Sequence, residues 1–148
     1  MTEESKINYG KYKKNIFVSW KKFRKLPLLS ANQILKNDFT DHEKQYMLVF
    51  YGYLDELKIN FEFLSNKKTI TGENLYLLAA YIGQIEVMKY LKNEGFDVHI
   101  TNNKNNDAYL LAALNGQIEV MKYLKNEGFD VHITNNSGYD AYLLATCN

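Results

Sequence analysis

Residues 83–103, GQIEVMKYLKNEGFDVHITNN, occur again without a single change as residues 116–136, at an offset of 33. The likeness extends on both sides: residues 75–80 (LYLLAA) match residues 108–113 (AYLLAA), and residues 141–146 (AYLLAT) begin a third copy at the same spacing. A fixed period of this length marks a stack of units, each burying its apolar side only against its neighbours.

One period reads as helix, tight turn, helix, extended turn. Asp107 is placed to cap a short helix in AYLLAALNG, where Ala108, Leu111 and Ala112 share a side at i, i+3, i+4 spacing and Gly116 is the stop. Residues 117–127 form the second helix, with Ile118, Met121, Tyr123 and Leu124 as the apolar stripe and Lys122, Lys125 and Glu127 on the wet side. Gly128 ends it in a left-handed cap. Phe129, Val131 and Ile133 then alternate through an extended segment, which runs into TNNKNND, whose asparagines suit turns.

These residues carry a family resemblance: the 33-residue unit resembles an ankyrin repeat. The family's Gly-His-x-Glu-Ile/Val-Val-x-x-Leu-Leu is similar to GQIEVMKYLK at residues 116–125, and its Gly-Ala-Asp-Val-Asn to GFDVH at residues 128–132. The same letters recur at residues 83–92 and 95–99. The first-helix block Thr-Pro-Leu-His-x-Ala-Ala is matched more loosely by DAYLLAA at residues 107–113, with no proline at the helix start, Tyr109 for leucine and Leu110 for histidine. The resemblance implies an all-α, ankyrin-like helical repeat solenoid.

It also implies where a partner protein sits, since the family's concave face is made by turn tips and first helices. The family's variable contact positions fall here on Ile70, Thr71, Glu73, Tyr81 and Ile82 in one repeat. In the next they fall on Asn103, Lys104, Asn106, Leu114 and Asn115, and in the last on Asn136, Ser137, Tyr139 and Cys147. Helix-two surfaces are identical between copies, whereas these positions change.

Towards the N-terminus the repeat decays. FYGYLDELK at residues 50–58 resembles YIGQIEVMK at residues 81–89, although Gly52 lies 31 rather than 33 before Gly83. Residues 42–50 and 54–64 are expected to form the helix pair of a degenerate first repeat, with Thr40 or Asp41 as its cap. The expected organisation is a helical N-terminal cap over residues 1–39, a degenerate repeat at 40–68, clear repeats at 69–101 and 102–134, and a partial one at 135–148. The partial copy ends before its second helix, which leaves Leu143 and Leu144 available for end-to-end self-association or marks a piece of a longer repeat protein.

Charge is divided unevenly along the chain. Residues 1–40 carry nine Lys and Arg against three Asp and Glu, and residues 41–148 carry nine against fourteen. The basic stretch KYKKNIFVSWKKFRK at residues 11–25 reads as an amphipathic helix. In the favoured reading Phe17 and Trp20 close the first repeat, and in the alternative the stretch binds a membrane surface or nucleic acid. Pro27 ends it, and residues 28–35 suggest another short helix with Ser30 or Asn32 near its start. The acidic balance of residues 41–148 argues against the stack gripping phosphate. No apolar run approaches the length of a membrane span, and a single Cys147 with no secretory signal suits an intracellular, cytoplasmic protein, with the nucleus as the other compartment.

Chemistry has little to stand on. His99 and His132 occupy one repeat position and so lie about 10 Å apart in a helical stack, too far to share a metal whose ligands lie about 2 Å from it. Asp97 and Asp130 recur likewise and are read as fixing turns by accepting backbone N–H groups. No catalytic residue, metal or cofactor is expected, and the partner is an unidentified protein unless the repeats target a longer enzyme. Tyr76, Tyr109 and Tyr142 recur, as do Tyr90 and Tyr123, and are read as core, while Tyr51, Tyr53, Tyr81 and Tyr139 are read as surface aromatics.

Overall fold

The computed structural model describes residues 29–147. The basic segment 11–25, and with it most of the expected N-terminal cap, lies outside them. Among the described residues there are eight helices and no strand. They are α1 (Ala31–Lys36), α2 (Asp41–Tyr51), α3 (Leu54–Asn60), α4 (Leu75–Ile82), α5 (Ile85–Asn93), α6 (Ala108–Leu114), α7 (Ile118–Asn126) and α8 (Ala141–Ala145).

Local chemistry sets their starts. Ser30 and Thr40 each form a capping box, in which the hydroxyl takes the N3 backbone N–H while Gln33 or Glu43 reaches back to the cap backbone. Asn74, Asp107 and Asp140 occupy one repeat position, and each accepts the N–H three residues on, from Leu77, Leu110 and Leu143. α4 ends at Gly83, whose φ of 97° is left-handed and suits a residue without a Cβ. The second helix of each clear repeat then starts two residues later.

The first helices α2, α4, α6 and α8 stack in a row, while α3, α5 and α7 each pack on the first helix of their own unit. Leu77, Ala79, Leu110 and Ala112 fill the interior of the row and are fully buried, with Leu91 and Leu124 closing it from the second helices. Alanine at 79, 80, 112 and 113 lets the helix axes of successive layers approach.

Identical residues differ in burial along the stack, because each is covered by the unit that follows. Tyr76 is 1%, Tyr109 8% and Tyr142 76% exposed. Ile118, expected in the apolar stripe of α7, is 62% exposed, and Val120 takes its place in the core. The stripe was therefore misassigned at Ile118, since no second helix of a following unit lies over it among the described residues.

A second correction concerns the first repeat. Its second helix was expected to reach Leu64 but stops at Asn60, and Phe61 turns extended at φ −133°. Side chains of α2 hold the next segment out of helix. Gln45 Nε2 donates to the Phe63 carbonyl at 2.9 Å, Gln45 Oε1 accepts from Ser65 N at 2.5 Å, and His42 pairs with the Ser65 hydroxyl. Tyr46 Oη reaches the carbonyls of Lys67 at 2.5 Å and Glu73 at 3.0 Å. Ile59 and Phe63 are left 81% and 80% exposed.

Candidate partner-binding face

Three consecutive turns line one edge of the stack, and each is closed by the same device. In the first, Thr69 N donates to Glu73 O at 2.8 Å while Thr69 Oγ1 accepts from Glu73 N at 3.0 Å. Asn102 does the same with Asn106 through its carboxamide oxygen at 2.9 Å, and Asn135 with Tyr139 at 3.0 Å. Asn102 and Asn135 also accept from the N–H of Lys104 and Ser137. One side-chain oxygen thus satisfies two backbone donors of the loop. The fourth residue of each turn is left-handed: Gly72, Gly138, and between them Asn105 at φ 62°, a conformation that asparagine tolerates.

The turns are also tied to one another. Asn103 N donates to the Thr71 carbonyl and Asn136 N to the Lys104 carbonyl, both at 3.0 Å. The Asn103 and Asn136 amides donate to the carbonyls of Ile70 at 2.8 Å and Asn103 at 3.4 Å. The edge is a ladder with a 33-residue step. Reading the sequence missed the closing role of Thr69, Asn102 and Asn135, although recurrence of Asn at 102 and 135 was the available signal.

The expected contact residues divide into three groups on this frame. Glu73 and Asn106 are buried: the Glu73 carboxylate accepts from the hydroxyls of Thr69 at 2.8 Å and Thr71 at 2.6 Å, and Asn106 Oδ1 accepts from Asn135 Nδ2 at 3.0 Å. Tyr81, Ile82, Leu114 and Asn115 are half-buried at the ends of the first helices, and the Asn115 amide donates to the Tyr81 carbonyl at 2.7 Å. Asn103, Lys104, Ser137 and Tyr139 are exposed on the turn tips beside Ile70 and Thr71. Ile70 is 64% and Tyr139 44% exposed.

Just behind the tips, Asp107 caps α6 from a buried position, and burial pushes its carboxyl above the usual carboxylate range even though backbone N–H groups bond it. Asp97 and Asp130 accept the N–H of His99 and His132 at 2.9 and 2.8 Å, the turn-fixing role expected of them.

Elsewhere, a cavity of about 190 Å³ is lined by Tyr76, Lys92, Val98, His99, Tyr123, Glu127 and Phe129. The Lys92 ammonium donates to Glu127 across two repeats at 2.7 Å, and the His99 and Phe129 rings lie 4.8 Å apart.

Among the described residues no group of three His, Cys, Asp or Glu side chains is placed to hold a metal ion, and no helix is long and apolar enough to cross a membrane. A search of curated proteins returns no match. The family model described as ankyrin repeats, three copies, matches residues 47–148, well over half of the sequence. The chain therefore belongs to the ankyrin-repeat family, and its stacked helix pairs are the general scaffold for protein interaction that this family shares.

Proposed function

We propose that this chain binds a partner protein along the edge formed by the turn tips and the ends of the first helices. The observation that carries the reading is the contrast between frame and side chains on that edge. The backbone ladder repeats from turn to turn, yet equivalent exposed tip positions present Thr71, Lys104 and Ser137, and Ile70 stands where the next two turns carry Asn103 and Asn136. A rigid frame with varied side chains lowers the ordering cost of association and leaves specificity to the variable positions.

Within this reading Ile70 and Tyr139 are the anchors, since buried aromatic and apolar groups dominate interface energetics. Lys104 steers association and sets orientation. Tyr81, Ile82 and Leu114 give the floor, while Glu73, Asn106 and Asn115 hold the frame from inside. The exposed Cys147 thiol suits a reducing compartment, and the interaction is assigned to the cell interior.

The test is capture from native cell extract by the full chain and by the Ile70→Ala/Tyr139→Ala variant, each first checked for helical content by circular dichroism. A partner retained by the wild type and lost by the variant supports the edge. Equal capture by both overturns it, and capture that needs only residues 11–25 makes the repeats a spacer.

A further inference from the structure

Asn115 is the one asparagine in the chain that is followed by glycine. The preceding copy has Ile82 before Gly83 at the same place. Glycine carries no Cβ, so the Gly116 backbone nitrogen is the least hindered nucleophile that any asparagine amide in this chain has as its neighbour. Asn115 also has a structural duty: its Nδ2 donates to the Tyr81 carbonyl at 2.7 Å, 34 residues away, and so ties two repeats together beside their tight turns.

We propose that Asn115 is a deamidation site whose reaction is gated by opening of the turn between α6 and α7, and whose product cuts the tie to Tyr81. Gly116 N attacks Asn115 Cγ, forming a cyclic imide; the Cγ–Nδ2 bond breaks and ammonia leaves with the Gly116 amide proton. Water then opens the ring at one carbonyl or the other and leaves an aspartate or an isoaspartate. The net change is addition of water and loss of ammonia, and no other reactant is needed.

The gate is visible in the hydrogen bonds. Gly116 N donates to the Ala113 carbonyl at 3.1 Å, and the leaving nitrogen, Asn115 Nδ2, to the Tyr81 carbonyl at 2.7 Å. Nucleophile and leaving group are therefore both engaged, and attack needs the end of α6 to open first.

The product does not fit back. A carboxylate at this place turns an acceptor towards the Tyr81 carbonyl where the amide had offered a donor. It also sets a negative charge at the C-terminal end of α6, where the helix dipole already makes the field negative. The isoaspartate adds a methylene to the backbone between α6 and α7. Both products loosen the seam between repeats, and the change is one-way.

The experiment ages the full chain at mildly alkaline pH, folded and in urea, and follows each asparagine by peptide mapping and mass spectrometry. In urea Asn115 is expected to react ahead of every other asparagine, and in the folded chain it is expected to react several-fold more slowly. A different asparagine reacting first in urea, or equal rates at Asn115 in the two states, overturns the proposal. The consequence is read separately from Asn115→Asp and Asn115→Ala. Facing the Tyr81 carbonyl disfavours the charged form of the new carboxyl, so the stability deficit of the first variant is expected to shrink as pH falls through the carboxylate range, whereas the alanine variant's deficit stays level. Matching deficits at every pH overturn the charge argument.

Discussion

Asn106 Oδ1 accepts a hydrogen bond from Asn135 Nδ2 at 3.0 Å, across the gap between two consecutive turns. Asn106 is 2% exposed and Asn135 half-buried, so the bond is partly shielded from water. Asn106→Ala should lower the unfolding free energy by about 0.5–1.5 kcal/mol, the net worth of one such bond, since Asn135 is only half-buried. The check is a urea melt in which the midpoint falls and the slope does not.

Two residues of one helix should respond in opposite ways. Leu124 is fully buried and Ile118 is 62% exposed. Leu124→Ala should cost about 2–5 kcal/mol, much of the stability of so short a stack. Ile118→Ala should change it by less than about 0.5 kcal/mol. Equal losses in denaturant melts would mean that α7 is turned about its axis.

Alkaline pH offers a different probe. Burial, then the Glu73 carboxylate, pushes the Tyr46 phenol above its ordinary value of 10.0, and burial does the same to Tyr76. Below that value folded and unfolded chains both hold the proton and stability is complete. As pH rises through it the unfolded chain releases the proton first, so stability falls. Tyr46→Phe should cost about 0.5–1.5 kcal/mol near neutral pH. It should also make the midpoint less sensitive to pH between about 9 and 11, with Tyr76 supplying the remaining slope.

Gly83 and Gly128 separate backbone strain from crowding. Their φ values are 97° and 94°, and a Cβ at Gly128 meets nothing within 4 Å, whereas one at Gly83 meets the end of the Gln117 side chain. Either glycine changed to alanine should lose about 1–2 kcal/mol from the left-handed backbone alone. Gly83→Ala should lose more. Adding Gln117→Ala should remove the excess, and an unchanged difference in thermal or urea melts would place its origin elsewhere.

What could be read from the letters was what depends on near neighbours. Asp107 caps α6 and Leu124 lies in the core because spacing within four residues decides both. Ile118 shows the limit: helical spacing says which residues share a side, and only the next unit decides whether that side is covered. The end of α3 at Asn60 was hidden for a related reason, since Gln45 and Tyr46 act on it from another helix. On the edge, repeat position marked where Glu73 and Asn106 lie but not that their side chains turn inward. The ties of Asn103 and Asn115 to residues 33 and 34 earlier exist only because the units stack in register.

The two long sides of the stack are fastened differently, and this gives the molecule a mechanical sense. Along the turn tips successive units share backbone hydrogen bonds, at Asn103 with Thr71 and Asn136 with Lys104. On the opposite side they share a half-exposed Lys92–Glu127 pair and lysines resting over the rings of Tyr90 and Tyr123. The first is stiff and the second yields, so the array should bend like a bound book, its spine at the tips and its pages fanning at the second helices. Thermal bending then alters the curvature of the molecule while the spacing between neighbouring tips stays nearly constant, and a surface laid along the spine meets the same ruler at every moment.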